Sequence, residues 1–345
     1  MKILYVANIR LPTEKAHGVQ IMKTCEALAA AGAELELAIT DRASGISDDP
    51  FAYYGIKTRF AITRLPVIDT IGWGAPGFVA ESLSFARAAR RLVRKRAPDL
   101  VYGRDELVLA CLRGDTPFVW ETHTGAWNGA ARRVAARAQR IVAISQGLKD
   151  FYVEKGVPAE KIMVAHDGVD ISAFDLPISR AEAREKLGLN TNGKIALYTG
   201  STYAWKGVGT LKEAETLLPQ VRVMVVSKRP FSEIPAYLRA ADVLVLPNSG
   251  ADAVSSRFTS PMKLFEYMAS GTPIAASDVP AVREILGENE AYFFTPNDPQ
   301  SLAAAVRRAL DDPKAAAVGA KARQAVQRYS WDTRAQAILR LICGQ

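Results

Sequence analysis

Cysteine is scarce in this chain and forms no pattern. Cys25, Cys111 and Cys343 are the only three in 345 residues. They are odd in number and far apart, which excludes a disulfide framework and a zinc-ligand spacing and points to a reducing compartment. Histidine is equally rare, with His17, His123 and His166 making three, none paired at a metal-ligand interval. No resident metal or cofactor is expected from such a set. No stretch approaches the ~20 apolar residues of a spanning helix. The opening MKILYVANIR has one lysine and too short an apolar run for a signal peptide, so it reads as a buried strand of a cytoplasmic protein. No G-x-G-x-x-G follows that strand, which disfavours an ordinary dinucleotide-dependent dehydrogenase. Neither a fixed-period repeat nor a low-complexity segment is present.

What is there suits a soluble protein of two domains. Hydrophobic residues make up 49% and charged residues 23% of the chain, enough to bury two cores. The net charge of +8 favours anionic partners such as phosphorylated small molecules or acidic lipid headgroups. Strand-like apolar runs alternate with helical patterns, as in parallel sheets with crossover helices. In the first half the strands are Ile3–Ala7, Glu34–Thr40, Leu100–Tyr102, Phe118–Glu121, Arg140–Ile144 and Lys161–Ala165. Helices are expected around Val19–Ala31, Ser82–Arg96 and Gln146–Lys155, with a basic helix leading to Arg140. Residues 171–190 carry a charged helix but no strand. A second alternation follows at Ile195–Tyr198, Val221–Val226, Val243–Leu246, Pro273–Ala276 and Ala291–Phe294. The expected layout is a nucleotide-binding-type domain over 1–170, a second over 171–330, and a terminal helix over 331–345 that packs back toward the first.

The densest information lies in Ser260-Pro261-Met262-Lys263-Leu264-Phe265-Glu266-Tyr267-Met268-Ala269-Ser270-Gly271-Thr272-Pro273. Ser260 is a natural N-cap and Pro261 suits the first helical position. The amides of Met262 and Lys263 would then point out of the helix start, a seat for a pyrophosphate. Glu266 lies about one turn on, where its two oxygens can accept from both hydroxyls of a ribose. The plainer reading is a well-capped amphipathic crossover helix.

From Ser260 through Asp278, and again from Ile234 through Pro247, the chain resembles glycosyltransferase family 4, in the subset that reads S-P-L-K-x-F-E-Y-M-A. The resemblance implies a GT-B fold, α/β, with two Rossmann-like domains whose parallel sheets face each other across a deep cleft. It also implies a retaining hexosyltransferase that moves a sugar from a nucleotide diphosphate sugar to a sugar or lipid-linked acceptor, in polysaccharide or glycolipid synthesis. The position of the family's first glutamate is Phe258, next to Thr259, on the acceptor or sugar side. In the loop Thr199-Gly200-Ser201-Thr202-Tyr203-Ala204-Trp205-Lys206-Gly207, Lys206 matches the lysine that neutralises the leaving diphosphate. The family's arginine falls on Ser201, and Arg229 offers a substitute charge. Gly18, after His17, matches the glycine loop that approaches donor phosphate and acceptor. His123 stands where the family places a histidine facing the donor sugar. Lys206, His123 and Glu266 are thus the expected catalytic residues. Glu121 is a candidate base if its strand extends to His123. No Asp-x-Asp occurs, and the family uses no metal.

Arg87, Arg90, Arg91, Arg94 and Lys95 share one side of the Ser82–Arg96 helix, with Phe85, Ala89, Leu92 and Val93 on the other. Arg132, Arg133, Arg137 and Arg140 add charge in the same half. A solvated face is the ordinary explanation; docking on an anionic membrane at its inner face is the functional one. Nucleic acid is not expected, since no aromatic interleaving accompanies the charge. Two other readings stay open: a non-catalytic nucleotide-binding partner of another transferase, and a GT-B nucleotide-sugar epimerase.

Overall fold

A computed structural model describes residues 1–114, 116–189 and 192–344. The chain forms two compact units. One holds Met1–Ile144, Leu148–Ala165 and Trp331–Gln345, the other Ser145–Gly147 and His166–Ser330. Each is a parallel α/β sheet among the described residues, in line with the fold class expected from the sequence.

The first unit contains β1 (Lys2–Val6), β2 (Glu34–Thr40), β3 (Ala61–Leu65), β4 (Leu100–Gly103), β5 (Phe118–Thr122), β6 (Arg140–Ala143) and β7 (Ile162–Val164). Their spatial order is β3-β2-β1-β4-β5-β6-β7, and all neighbours run parallel. The central strands are apolar on both faces because helices cover both sides. Ile3, Tyr5, Val101, Val119 and Trp120 are all essentially inaccessible. β3 escaped the sequence reading. It is a half-exposed edge strand with Arg64 inside it, so neither alternation nor an apolar run marks it. The helix expected over 82–96 instead spans Gly74–Arg96. Pro76 does not stop it, because a proline in the first turn forfeits no intrahelical bond. Phe85, Ala89, Leu92 and Val93 are its buried face. The Trp331–Cys343 helix packs on the Ala16–Ala30 helix.

The second unit contains β8 (Lys194–Thr199), β9 (Val221–Val226), β10 (Val243–Leu246), β11 (Ile274–Ser277) and β12 (Tyr292–Phe294), in the order β12-β11-β10-β8-β9. Helix starts are fixed locally. Ser179 and Glu182 form a reciprocal capping box ahead of Arg180–Lys186, and Asp298 accepts from the Ser301 amide with Pro299 in the first turn. A buried ion pair pins the start of the sheet. Arg184 meets Asp242 at 2.5 Å and also donates to the carbonyls of Ala240 and Gly193. Asp242 in turn accepts from the Ile195 amide at 2.8 Å.

Removing Arg184 leaves the buried Asp242 with only the exposed Arg180 as a close cation, at 3.0 Å. Arg184→Met is expected to destabilise the second unit by about 3–5 kcal/mol, read as a lower urea midpoint for its unfolding transition. A shift below about 1 kcal/mol, the usual size for a surface pair, would show that the pair is not essential.

Candidate functional site

Ligands of open parallel sheets gather where the strand order reverses, outside the carboxyl ends of the two diverging strands. In the second unit that point lies between β8 and β10, which pair side by side. The loop after β8 ends at Gly207, whose φ is +74°. A Cβ there would stand 1.6 Å from the Pro247 carbonyl oxygen at the end of β10, so the two loops press together and only glycine fits. The crossover helix Met262–Ser270 joins them. Thr199 donates to the Tyr267 hydroxyl from its amide at 2.8 Å and from its side chain at 3.2 Å.

The start of this helix differs from the sequence expectation. Pro261, with φ −75° and ψ 104°, is the cap, and helical geometry begins at Met262. Ser260 does not cap. Its hydroxyl accepts from the Asp167 amide at 2.8 Å, so it ties down the Asp167 turn instead. Pro261 lacks an N–H and Ser260 is already engaged, so no side chain of the cap region closes over the helix start. The unpaired amide end of a helix carries roughly half a positive charge.

Two lysines converge beside it. The Lys263 ammonium donates to the Tyr198 hydroxyl at 2.6 Å, and Tyr198 donates to the Ser201 carbonyl at 2.7 Å. Burial lowers the Lys263 pKa well below the usual lysine value, and the charge of Lys206 lowers it further. Lys206, lying 3.7 Å above the Trp205 ring centre, is lowered by burial to about 8. Glu266 is half-buried at the surface of the helix, and desolvation raises it to about 7 against the opposing pull of Lys263. Two cations and one carboxylate are thus kept short of water. None of the three forms a salt bridge among the described residues, although Lys263 and Glu266 feel each other's charge, an arrangement that favours an incoming anion bearing hydrogen-bond donors beside it.

The remaining donor-side residues sit differently. Gly200 continues the β8 ladder, its amide donating to the Val226 carbonyl at 2.8 Å, and Lys263 Nζ lies close over it. Ser201 is exposed. Arg229 is exposed too and spends part of its charge on Glu233 at 3.8 Å. Phe258 is half-buried with the Arg257 guanidinium 5.7 Å from its ring centre, and Thr259 is buried.

In the first unit the strand order reverses between β1 and β4. The Asn8 amide donates to Asp105 at 2.9 Å, joining the loops after these strands. Gly18 is buried, and a Cβ there would meet the Tyr54 hydroxyl at 2.3 Å; that hydroxyl is fixed by the Thr13 amide and carbonyl. The requirement for glycine is therefore met inside the unit. His17 is lowered to about 4, first by burial and then by Arg104 and Lys15.

Glu121 proves to be the hub of this unit rather than a base. It is inaccessible, and it accepts from Gln20 at 2.6 Å, from Arg334 at 2.9 Å and from Tyr102. Burial opposes its ionisation, but Arg334, His123 and Arg104 outweigh burial and hold it well below the carboxylate range. A carboxylate so satisfied has no capacity to take a substrate proton. His123 Nε2 lies 2.7 Å from Glu121, and an ionised carboxylate can only accept. The proton is thus on Nε2, and Nδ1 is left as an acceptor. His123 is lowered to about 4, chiefly by burial and then by Arg104, so its ring is neutral at pH 7. Of the basic stretch after it, Arg137 donates to the Leu112 carbonyl at 3.0 Å, and Arg132 stands over Trp127. The two do not present one continuous charged face. Arg87, Arg91, Arg94 and Lys95 are exposed and Arg90 is half-buried.

Comparisons with known proteins bear on the family and the fold. Residues 17–173 match a family model described as Glycosyltransferase Family 4, and residues 205–312 match one described as Glycosyl transferases group 1. The chain belongs to glycosyltransferase family 4. Among its relatives, the D-inositol 3-phosphate glycosyltransferase of Xylanimonas cellulosilytica is 25% identical over 93% of this chain and 89% of its own length. The putative teichuronic acid biosynthesis glycosyltransferase TuaC of Bacillus subtilis is 25% identical over 52% of this chain and 49% of its own length. The chain therefore spans most of the first relative but only about half of the second. In fold, this family 4 chain is similar to sucrose-phosphate synthase from Thermosynechococcus elongatus, with a TM-score of 0.79, 20% identity and coverage of 99% and 98%. It is also similar to HepE of Anabaena in complex with UDP and glucose, with a TM-score of 0.78, 18% identity and coverage of 100% of both chains. These are GT-B glycosyltransferases, and the fold class is theirs.

Sequence reasoning missed the residues that hold the site together. Tyr198 entered only as the end of a strand and Tyr267 only as a position in the family motif. Only the position of Tyr198 one residue before the end of β8, and of Tyr267 next to Glu266, hints that their hydroxyls face polar groups. Arg334 and Gln20 lie far from Glu121 in the chain and carry no local signal.

The raised pKa of Glu266 sets a pH dependence. Its charged form is disfavoured in the empty fold, so stability falls as pH rises from near 4.5 through about 7. Glu266→Gln is expected to raise the melting temperature of the ligand-free protein at pH 8 and to leave it unchanged at pH 4. An equal gain at both values would remove Glu266 from a desolvated position.

Proposed function

We propose that this chain is a retaining hexosyltransferase that takes a sugar from a nucleoside diphosphate sugar and passes it to a sugar or lipid-linked acceptor in polysaccharide or glycolipid synthesis. The observation that carries the reading is the pair Lys206 and Lys263, desolvated and without a salt-bridge partner among the described residues, at the reversal point of the second sheet. A diphosphate is the ligand that repays the cost of that arrangement. It supplies charge to both ammonium groups, and a helix N-terminus adds amide donors.

In the proposed reaction the bond between the anomeric carbon and the diphosphate oxygen breaks. The acceptor oxygen bonds to the same face of that carbon, and the acceptor's proton passes to the departing phosphate oxygen. Negative charge builds on the diphosphate as it leaves. Lys206, Lys263 and the amides of Met262 and Lys263 are positioned to stabilise it, which assigns to the protein the role a metal ion plays elsewhere. Glu266 is assigned to the ribose hydroxyls. Binding there turns a penalty into a contact, because the hydroxyls hydrate its carboxylate in place of water. Among the family's positions, His17, Gly18 and His123 fall on the acceptor and sugar side. Neutral imidazoles there suit hydrogen bonding to hydroxyls, and Nδ1 of His123 is an acceptor for one.

Ser201 and Phe258 stand where the family has arginine and glutamate. That favours, as the second reading, a nucleotide-binding partner without turnover. A panel of nucleotide sugars beginning with UDP-glucose, the ligand of one HepE structure, separates the two. Thermal shift reports binding, and release of nucleoside diphosphate reports turnover. Lys206→Ala is expected to reduce turnover by about 10²–10³-fold, the usual loss for one preorganised donor at a developing anion. Glu266→Ala is expected to weaken binding of the free nucleoside diphosphate. Binding without release supports the partner reading, a sugar changed but not released supports an epimerase, and no binding by any member of the panel overturns the proposal.

A further inference from the structure

A cavity of about 730 Å³ opens on the outer surface of the first unit, between the Gly74–Arg96, Glu106–Cys111 and Gly129–Arg137 helices. Six of its lining residues are Arg87, Arg90, Arg91, Arg94, Arg113 and Arg133, and no acidic residue among the described residues lines it. None of the six forms an ion pair with a carboxylate among the described residues. The contrast with neighbouring cations is sharp. Arg96, next along the same helix, pairs with Glu36 at 2.7 Å, and Arg137 is used by a carbonyl and an aromatic ring. The mutual repulsion inside the cavity is felt at Arg90, whose pKa is lowered by desolvation and by Arg94, Arg113 and Arg87. Like charges gathered in a concave surface focus a positive potential there. Among the described residues no ion pair offsets this repulsion.

The second observation is what continues the cavity. Leu83 lines it and is also one of the exposed large apolar residues. About one turn earlier on the same helix lie Val79 and Phe78, the latter 50% exposed, and ahead of the helix come Trp73, 77% exposed, Ile71 and Ile68. The spacing Val79, Leu83, Arg87, Arg90, Arg94 keeps one helix face. That face is apolar at its amino end and cationic at its carboxyl end, with Phe78 beside it and Trp73 ahead of it. A soluble phosphate or sugar phosphate accounts for the arginines but not for the bare Trp73, Phe78 and Val79. A bilayer surface accounts for both: aromatic and aliphatic side chains enter the acyl boundary while guanidinium groups take phosphate oxygens in pairs.

We infer that this cavity is a headgroup pocket for anionic glycerophospholipids, and that the Ile68–Leu83 segment beside it dips into the bilayer, so that the first unit docks on an anionic membrane at one defined place. No helix among the described residues is long and apolar enough to cross a membrane, and the docking needs none. The inference stands apart from the donor chemistry, since none of these residues belongs to the second unit.

The test is sedimentation of the full chain with vesicles of phosphatidylcholine alone or with phosphatidylglycerol added. The wild type is expected to bind only the anionic vesicles. A variant with Arg90→Gln, Arg94→Gln, Arg113→Gln and Arg133→Gln is expected to bind them at least about a hundredfold more weakly, given the usual worth of a cation near such a surface. A charge-matched control with Lys186→Gln, Lys212→Gln, Lys314→Gln and Lys321→Gln, all exposed and outside the cavity, is expected to bind as the wild type does. Cys111 also lines the cavity, so in a Cys343→Ser background anionic vesicles should shield it from a maleimide. Trp73 fluorescence should shift blue on binding and be quenched by brominated acyl chains, an effect lost in Trp73→Phe. Equal loss in both charge variants would reduce the effect to net charge and overturn the pocket. Retained binding by the arginine variant would overturn it as well. Shielding of Cys111 by soluble glycerophosphate without any Trp73 quenching would assign the pocket to a free phosphate instead of a lipid. Nucleotide-sugar turnover without lipid is expected to be the same in all variants, so a failure here is distinct from a failure of the transferase reading.

Discussion

Two ammonium groups held out of water near each other are the constraint around which the second unit is organised. Lys206 comes from the loop after β8 and Lys263 from the first turn of the Met262–Ser270 helix. Among the described residues neither forms a salt bridge. Bringing them together costs free energy, because each has lost hydration and each raises the potential at the other. The structure meets that cost with rigid supports. Tyr198 takes a hydrogen bond from Lys263, Tyr267 fastens the end of β8 to the helix, and the Gly207–Pro247 contact fixes the loop that carries Lys206. A flexible loop would let the lysines separate into solvent. A site held open in the empty protein needs no reorganisation when an anion arrives, which is where the strength of preorganised electrostatics comes from.

The first unit is organised the opposite way. One of its buried charges, Glu121, is satisfied from four sides, by Gln20, Tyr102, His123 and Arg334. A saturated carboxylate is silent chemically but informative structurally. It orients the His123 ring and selects its tautomer. One unit thus keeps its charges waiting for a ligand, while the other spends its charge on holding a neutral ring in place.

Much of this was legible in the residues. Parallel strands buried on both faces give apolar runs, so β8 through β12 and most of the first sheet could be found. The family motif carried Lys206, Lys263 and Glu266 because those residues sit within one helix and one loop. Legibility failed where a role depends on distance along the chain or on a backbone angle. β3 is an edge strand with a mixed pattern. Ser260 has the composition of a cap, but its hydroxyl is claimed by the Asp167 turn. Glu121 looked like a possible base from its place beside His123, and only the arrival of Arg334, over two hundred residues later, rules that out. In the arginine cavity, the helical wheel disclosed Arg87 through Arg94. Arg113 and Arg133 join them only because separate helices and loops close around one space.

The lateness of Arg334 bears on how the molecule is made. The ribosome releases the whole second unit before the Trp331–Cys343 helix emerges. Until then the nascent first unit has its sheet but lacks the counter-ion for Glu121. A half-finished first unit therefore holds Glu121 with Gln20, Tyr102, His123 and the charge of Arg104 alone, and gains the Arg334 contact only when the helix docks against Ala16–Ala30. Domains commonly complete themselves in the order of synthesis; here the first to begin is the last to finish.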